Sequence, residues 1–226
     1  MSEIIFEGVG HSFGERTVLD RVDLTLTEQR IGIVGANGSG KSTLARMING
    51  LVVPATGSVR IDGLDTAKKG RDVRKRVGFV FTDPNHQIVM PTVAEDIEFS
   101  LRRHGLSKPE RAAKVTSVLS RFGLDGHADH PTHQLSGGQK QLLALAAIMV
   151  TEPKVLVADE PTTLLDLRNS RLISDVFASL EQQLIVVTHQ LDLISSFDRV
   201  LVIDQGLVVA DGPPAHSIDF YRSLVA

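Results

Sequence analysis

The chain of 226 residues contains no cysteine, which excludes disulfides and thiolate metal sites and fits a reducing compartment. Positive charge is not in excess: 24 Lys and Arg stand against 27 Asp and Glu, a formal net charge of −3. Nucleic-acid partners usually go with a basic face, and the charge balance gives no reason to expect one. No apolar run approaches the ~20 residues needed to span a bilayer. The opening residues, Met1 to Phe6, lack the basic start and apolar stretch of a cleavable leader. There is no internal repeat, low-complexity linker or coiled-coil pattern. These absences lead us to expect a soluble, cytoplasmic chain of one large domain, or of one domain with a subdomain, that meets any membrane through partners.

What is present is phosphate chemistry. Residues 35–43 read Gly-Ala-Asn-Gly-Ser-Gly-Lys-Ser-Thr, with the P-loop spacing of Gly, four residues, Gly-Lys-Ser. Gly35, Gly38 and Gly40, with Asn37 and Ser39 between them, let backbone N–H groups turn toward phosphate oxygens. Lys41 can bring a point charge to the β- and γ-phosphates, the Ser42 hydroxyl can ligate Mg²⁺, and Thr43 continues the loop. The flanks agree. Residues 31–34 read as a buried strand, and Thr43 to Asn49 has a helical pattern that stops at Gly50.

Three further stretches carry polar chemistry. Residues 135–141, Leu-Ser-Gly-Gly-Gln-Lys-Gln, precede an apolar run, and Ser136 with Gln139 forms the capping-box pattern of a helix start. A helix beginning at Gly137 and Gly138 also offers free N–H groups to an anion. Residues 155–162 read as a buried strand ending in Asp159 and Glu160, where open parallel sheets bind ligands. The two acids point to opposite sides of an extended chain, so their roles can differ. Residues 184–187 form another apolar strand, followed by Thr188 and His189.

Together these motifs resemble the ABC-type ATPases over essentially the whole chain. The resemblance implies an α/β P-loop NTPase core with an N-terminal antiparallel β-subdomain and an inserted α-helical subdomain. The expected domain is 1–226, with 1–85 and 155–226 as the core and 86–154 as the helical part that carries the signature. It implies ATP and Mg²⁺ as ligands, Asp159 in the Mg²⁺ shell, Glu160 polarising the attacking water, and His189 contacting the γ-phosphate. Ser136, Gly137, Gly138 and Gln139 would then cap ATP bound to a second subunit. Phe13 stands where the family carries an aromatic that stacks on adenine; the alternative is that Phe13 is a core residue. Thr82 stands where most members have a Mg²⁺-touching glutamine, so the ion would be reached from 82 only through a water. The stretch 163–166, Thr-Leu-Leu-Asp, lacks the small residue usual at 164.

Residues 83–96 narrow the resemblance. Asp83, Asn85 and Gln87 lie in Asp-Pro-Asn-His-Gln-Ile, and Pro91-Thr92-Val93 with Glu95-Asp96 follows. This is similar to the ATPase components of energy-coupling-factor importers, where the element faces a transmembrane coupling protein. That implies a peripheral subunit on the cytoplasmic face of the membrane. Its partners would be a second ATPase subunit, a homodimer being expected, a coupling protein and a substrate-binding membrane protein. The cargo would be a vitamin or a transition-metal ion. The short C-terminal end looks like the biotin type, with cobalt and nickel systems open. An ordinary ABC transporter subunit is the alternative, and a non-transport ABC ATPase of DNA repair or translation a further one. His127, His130 and His133 have metal-like spacing, but Pro131 interrupts any helix that would align them, so an exposed loop is expected.

Overall fold

A computed structural model describes all residues, 1–226. In chain order the elements are β1 (Ile4–Phe13), β2 (Arg16–Leu26), β3 (Arg30–Val34), α1 (Lys41–Ile48), β4 (Thr56–Ile61), β5 (Leu64–Asp65), α2 (Gly70–Val73) and β6 (Val77–Val80). Then come α3 (Val93–Leu101), α4 (Lys108–Arg121), α5 (Gly137–Met149), β7 (Val155–Asp159), α6 (Leu167–Ser179) and β8 (Gln183–Val187). The chain closes with α7 (Leu191–Ile194), β9 (Arg199–Asp204), β10 (Leu207–Gly212) and α8 (Pro214–Val225). The residues form two compact units. The first holds Met1–Phe79, Lys154–Glu160 and Glu181–Ala226, and the second Val80–Pro153 and Pro161–Leu180.

Two sheets organise the first unit. A four-stranded antiparallel sheet runs β2-β1-β4-β5, and a six-stranded sheet runs β10-β9-β3-β8-β7-β6. In the larger sheet β9, β3, β8 and β7 are mutually parallel, while β10 returns antiparallel to β9. Its central strands are near-continuous apolar runs because helices and chain cover both faces. Ile31, Ile33, Leu156, Val157, Ile185 and Val186 are fully buried. In the smaller sheet the buried residues of β1 step from Ile4 to Phe6 to Val9 rather than by twos. Pairing with β2 shifts register between Phe6 and Val9, and Gly8, at φ 56°, absorbs the extra residue as a bulge.

The second unit is helical. α3 packs on α4 and α5, and α5 also meets α4 and α6. α3 and α4 each start with a capping box, Thr92 with Glu95 and Ser107 with Glu110. The sequence pattern predicts helices over 92–104 and 109–122; the first ends earlier, at Leu101, and the second forms one residue toward the N-terminus, within the usual scatter of helix boundaries. No helix is long and apolar enough to cross a membrane. The expected α/β core with an antiparallel β-subdomain and a helical insert is the observed architecture.

Candidate functional site

In the first unit, the candidate side chains leave the carboxyl ends of three neighbouring parallel strands. The P-loop follows β3, Asp159 and Glu160 end β7, and Thr188 and His189 follow β8, which lies between the other two. This is where an open parallel sheet receives a ligand. Backbone geometry forces the glycines. A Cβ at Gly35, whose φ is 150°, would lie 2.0 Å from the Ile203 carbonyl oxygen. One at Gly40, φ 109°, would lie 2.5 Å from that of Val18.

Lys41 is 6% exposed, and its ammonium folds back on the loop, donating to the Gly35 and Ala36 carbonyls at 2.8 Å each. Burial pulls its pKa below the ordinary lysine range, opposed by the carboxylates of Glu160 and Asp159. Ser42 Oγ donates to Asp159 Oδ1 at 2.7 Å, and Asp159 is 1% exposed. These are two hard oxygen donors side by side, a set that suits Mg²⁺ and not a soft metal. The sequence reading missed Arg46, whose guanidinium donates to Asp159 Oδ2 at 3.1 Å. The signal was available: Arg46 lies four residues after Ser42 on α1, hence on the same face.

Glu160 adopts a left-handed φ of 53°, an uncommon conformation for a residue with a side chain. Its N–H donates to the Val187 carbonyl at 2.9 Å, which ties it to β8. Its Oε2 is 2.8 Å from His189 Nδ1. With the carboxylate ionised, Nδ1 carries the proton and donates. His189 thus restrains Glu160 while its own side chain remains 55% exposed. A carboxylate held this way can orient a water and accept its proton.

Phe13 is 58% exposed at the tip of the β1–β2 hairpin, which rules out the core alternative. Its ring meets His11 edge-on at 4.7 Å. Across the hairpin, Phe13 pairs with Arg16, and Arg16 donates to the Gly38 carbonyl at 3.1 Å. The exposed Phe13 ring is thereby tied to the loop at Gly38 through a residue that local motifs do not reveal. A groove of about 300 Å³ opens beside it, lined by Arg16, Val18, Asn37, Ser39, Gln205 and Gly206.

The second unit carries the remaining residues. Ser136 is the N-cap of α5, accepting from Gln139 N–H at 3.3 Å, while Gln139 Oε1 accepts from Ser136 N–H at 2.9 Å. Ser136 and Gly137 are exposed, and no acidic residue sits in the first turn of α5. That end can take an external anion. Gly138 is buried against Asn169, where a Cβ would lie 2.2 Å from Oδ1. Thr82 is half-buried just past β6. Asp83 caps the turn Pro84–His86 by accepting from Asn85 N–H at 2.9 Å, a bond that lowers its pKa. Asn85 is exposed and accepts from Lys140 Nζ at 2.9 Å. Gln87 turns inward, accepting from Phe81 N–H at 3.4 Å and donating to the Ala144 carbonyl of α5 at 3.1 Å.

A family model described as ABC transporter matches residues 19–163. A putative ABC transporter ATP-binding protein of Deinococcus radiodurans is 51% identical over 214 residues, 95% of each chain. The biotin transport ATP-binding protein BioM of Rhizobium etli is 48% identical over 223 residues, 99% of each chain. The energy-coupling factor transporter ATP-binding protein EcfA1 of Halalkalibacterium halodurans is 34% identical over 94% of this chain and 79% of its own. Among solved structures, cbiO1 from Clostridium perfringens, part of the ABC transporter complex cbiONQ, superposes with a TM-score of 0.84. It is 29% identical, over 98% of this chain and 92% of that one. The dimeric, post-hydrolysis ATP-binding cassette MJ0796 bound to ADP and Pi gives 0.79 at 28% identity, over 93% of this chain and 98% of that one. With more than half of its length matched by the family and relatives aligned along nearly all of it, the chain belongs to the ABC transporter family as an ATP-binding subunit, an ATPase.

Proposed function

We propose that the chain powers an energy-coupling-factor importer, with biotin as the favoured cargo, and works as a homodimer beneath membrane partners on the cytoplasmic face. The gathering of Lys41, Ser42, Asp159, Glu160 and His189 at three adjacent strand ends carries the ATPase part of this reading. The stretch 83–96 and the likeness to BioM and EcfA1 support the importer type. The domain is read as one ATPase unit, 1–226, with 86–154 as its helical insert.

In this reading Lys41 swings from the loop carbonyls to the β- and γ-phosphates of ATP. Ser42 and Asp159 would hold Mg²⁺, with Thr82 reaching it through a water, and the ion neutralises charge on the phosphates. Phe13 stacks on adenine. Glu160, steadied by His189, orients the water and takes its proton, and His189 also touches the γ-phosphate. Ser136, Gly137, Gly138 and Gln139 complete the site of a second copy. The surface around Asp83, Asn85 and Gln87 passes the movement to the coupling protein. Gln87 serves there as an internal brace, since both ends of its amide are engaged within its unit.

Cells lacking the chain should lose high-affinity biotin uptake, wild type should restore it and Glu160→Gln should not. Undiminished uptake would overturn the biotin assignment. Gentle solubilisation of native membranes should recover the tagged chain with two small hydrophobic proteins. Recovery with large permease subunits would make it a subunit of an ordinary ABC transporter.

A further inference from the structure

The histidine cluster 127–133 is the sequence feature that the ATPase reading leaves unused. Its imidazoles form no group able to hold a metal ion. His127 instead meets the start of α5: Gln139 Nε2 is 2.8 Å from His127 Nε2. The proton positions follow from the partners. Ser136 N–H can only donate, so the Gln139 oxygen must face it. The Gln139 amide nitrogen must then face His127 and donate. His127 Nε2 is therefore an acceptor, and the neutral ring carries its proton on Nδ1. That Nδ1 is buried and has no hydrogen-bond partner, so the Gln139 contact is the ring's one hydrogen bond.

The same turn holds a second helix. Ala94 N–H donates to the Ala128 carbonyl at 2.9 Å and Val93 N–H to the His130 carbonyl at 3.2 Å, closing the first amides of α3. Backbone at 128–130 thus receives α3, the element after the stretch 83–92, while the His127 side chain receives the cap of α5. The charged groups around it have other partners or no bond to the ring. His130 lies 4.9 Å away, ring to ring. Asp125 and Asp129 belong to the same turn. Glu95 of α3 binds Thr92, Lys140 of α5 binds Asn85, and Arg121 at the end of α4 lies over Phe122.

We infer that His127 is a positioning residue of the α5 N-terminus: its Nε2 accepts from the Gln139 amide and so keeps the Gln139 oxygen turned to the Ser136 N–H, which holds the capping box closed. The link from this cap to ATP turnover rests on the proposed role of α5.

Nitrogen-resolved NMR of the full chain tests the contact without reference to turnover. At pH 8 the His127 Nε2 should be unprotonated and coupled to the Gln139 side-chain amide; a protonated Nε2 would overturn the inference. In His127→Phe, which keeps a ring without the acceptor, amide exchange at Ser136 should rise about three- to tenfold over wild type, the cost of one lost capping bond. Unchanged exchange in that variant also overturns it. His127→Gln supplies an acceptor oxygen in place of the ring nitrogen and should restore both the Ser136 protection and the turnover that His127→Phe loses. Equal turnover in the two variants would sever the cap from catalysis. The role of α5 itself is tested separately by Gly137→Ala, so the two readings fail independently.

Discussion

Glu160 illustrates how much of this site depends on single atoms. Its backbone sits at φ 53°, its N–H is bound to β8 and its carboxylate is 2.8 Å from His189 Nδ1. Glu160→Gln preserves the size and an acceptor for His189 but removes the base. ATP should still bind, and turnover should fall by at least ~10² in a phosphate-release assay. Near-normal turnover would remove Glu160 from the role of base. Phe13 permits an equally local test. Phe13→Ala should weaken ATP binding by ~1–3 kcal/mol and leave inorganic triphosphate affinity unchanged, because only ATP has a base to stack. Equal losses for both ligands in calorimetry would place Phe13 in support of the loop instead.

Among the elements, the helix starts divide by what they carry. α3 and α4 place Glu95, Asp96 and Glu110 in their first turns, whereas α1 and α5 carry no acid there. The first pair satisfies its own helix dipole, whereas α1 and α5, like α6 and α8, carry no acid to oppose an external anion. The two glycines of α5 are not equivalent. A Cβ at Gly137 would meet only Leu165 Cδ2 at 4.0 Å, while one at Gly138 would run into Asn169. Gly137→Ala should thus keep the melting temperature and lower turnover. Gly138→Ala should lower both, since the Asn169 side chain is pinned by its Nδ2 donating to Asp166 Oδ2 at 3.1 Å. A Gly137→Ala variant with full turnover would count against a ligand at α5.

Asp96, also in an early turn, does a different task. It is 3% exposed, and its Oδ1 accepts from Val89 N–H at 2.8 Å and Met90 N–H at 2.9 Å. Burial raises its pKa despite those two bonds. A folded-state pKa above the unfolded value contributes stability that is present below the unfolded pKa and lost as pH rises through the folded one. The ionised form is then the costly one at neutral pH. Asp96→Asn keeps the acceptor and deletes the charge, so its melting temperature at pH 7 should match or exceed wild type, with the difference vanishing toward pH 3. A clearly lower value at pH 7 would show that the charge itself stabilises the turn.

For the whole molecule, the motifs are split between two compact units, the strand-end residues in one and α5 with residues 83–96 in the other. One chain carries every motif of the proposed dimer, so self-association should follow ATP. The apolar Leu164 and Leu167 are 61% and 81% exposed in the segment between β7 and the first turn of α6. Glu160→Gln with ATP and Mg²⁺ should sediment as a dimer and return to a monomer with ADP. A monomer at saturating ATP would move the second site to a different partner subunit.

The sequence by itself left the short elements β5, α2 and α7 and the closing helix α8 unread, but it determined the P-loop spacing, the acidic strand end, the capped start of α5 and the main strands and helices around them. These are local: spacing decides which backbone groups converge, and apolar periodicity decides which segments are buried. The capping box at Ser136 was legible for the same reason, closing within three residues, while those at Thr92 and Ser107 were not read from the sequence. Only the tertiary structure decided which distant residues meet. Arg16 reaches Gly38 because a hairpin folds over the loop, and Arg46 reaches Asp159 because α1 lies beside β7. Gly8 makes a bulge that simple alternation could not foretell, Gln87 turns inward to Ala144, and His127, expected in an exposed loop, meets Gln139. Each of those contacts depends on the path of the chain between its partners, and that path is chosen by the packing of the whole core, where no single residue spacing records it.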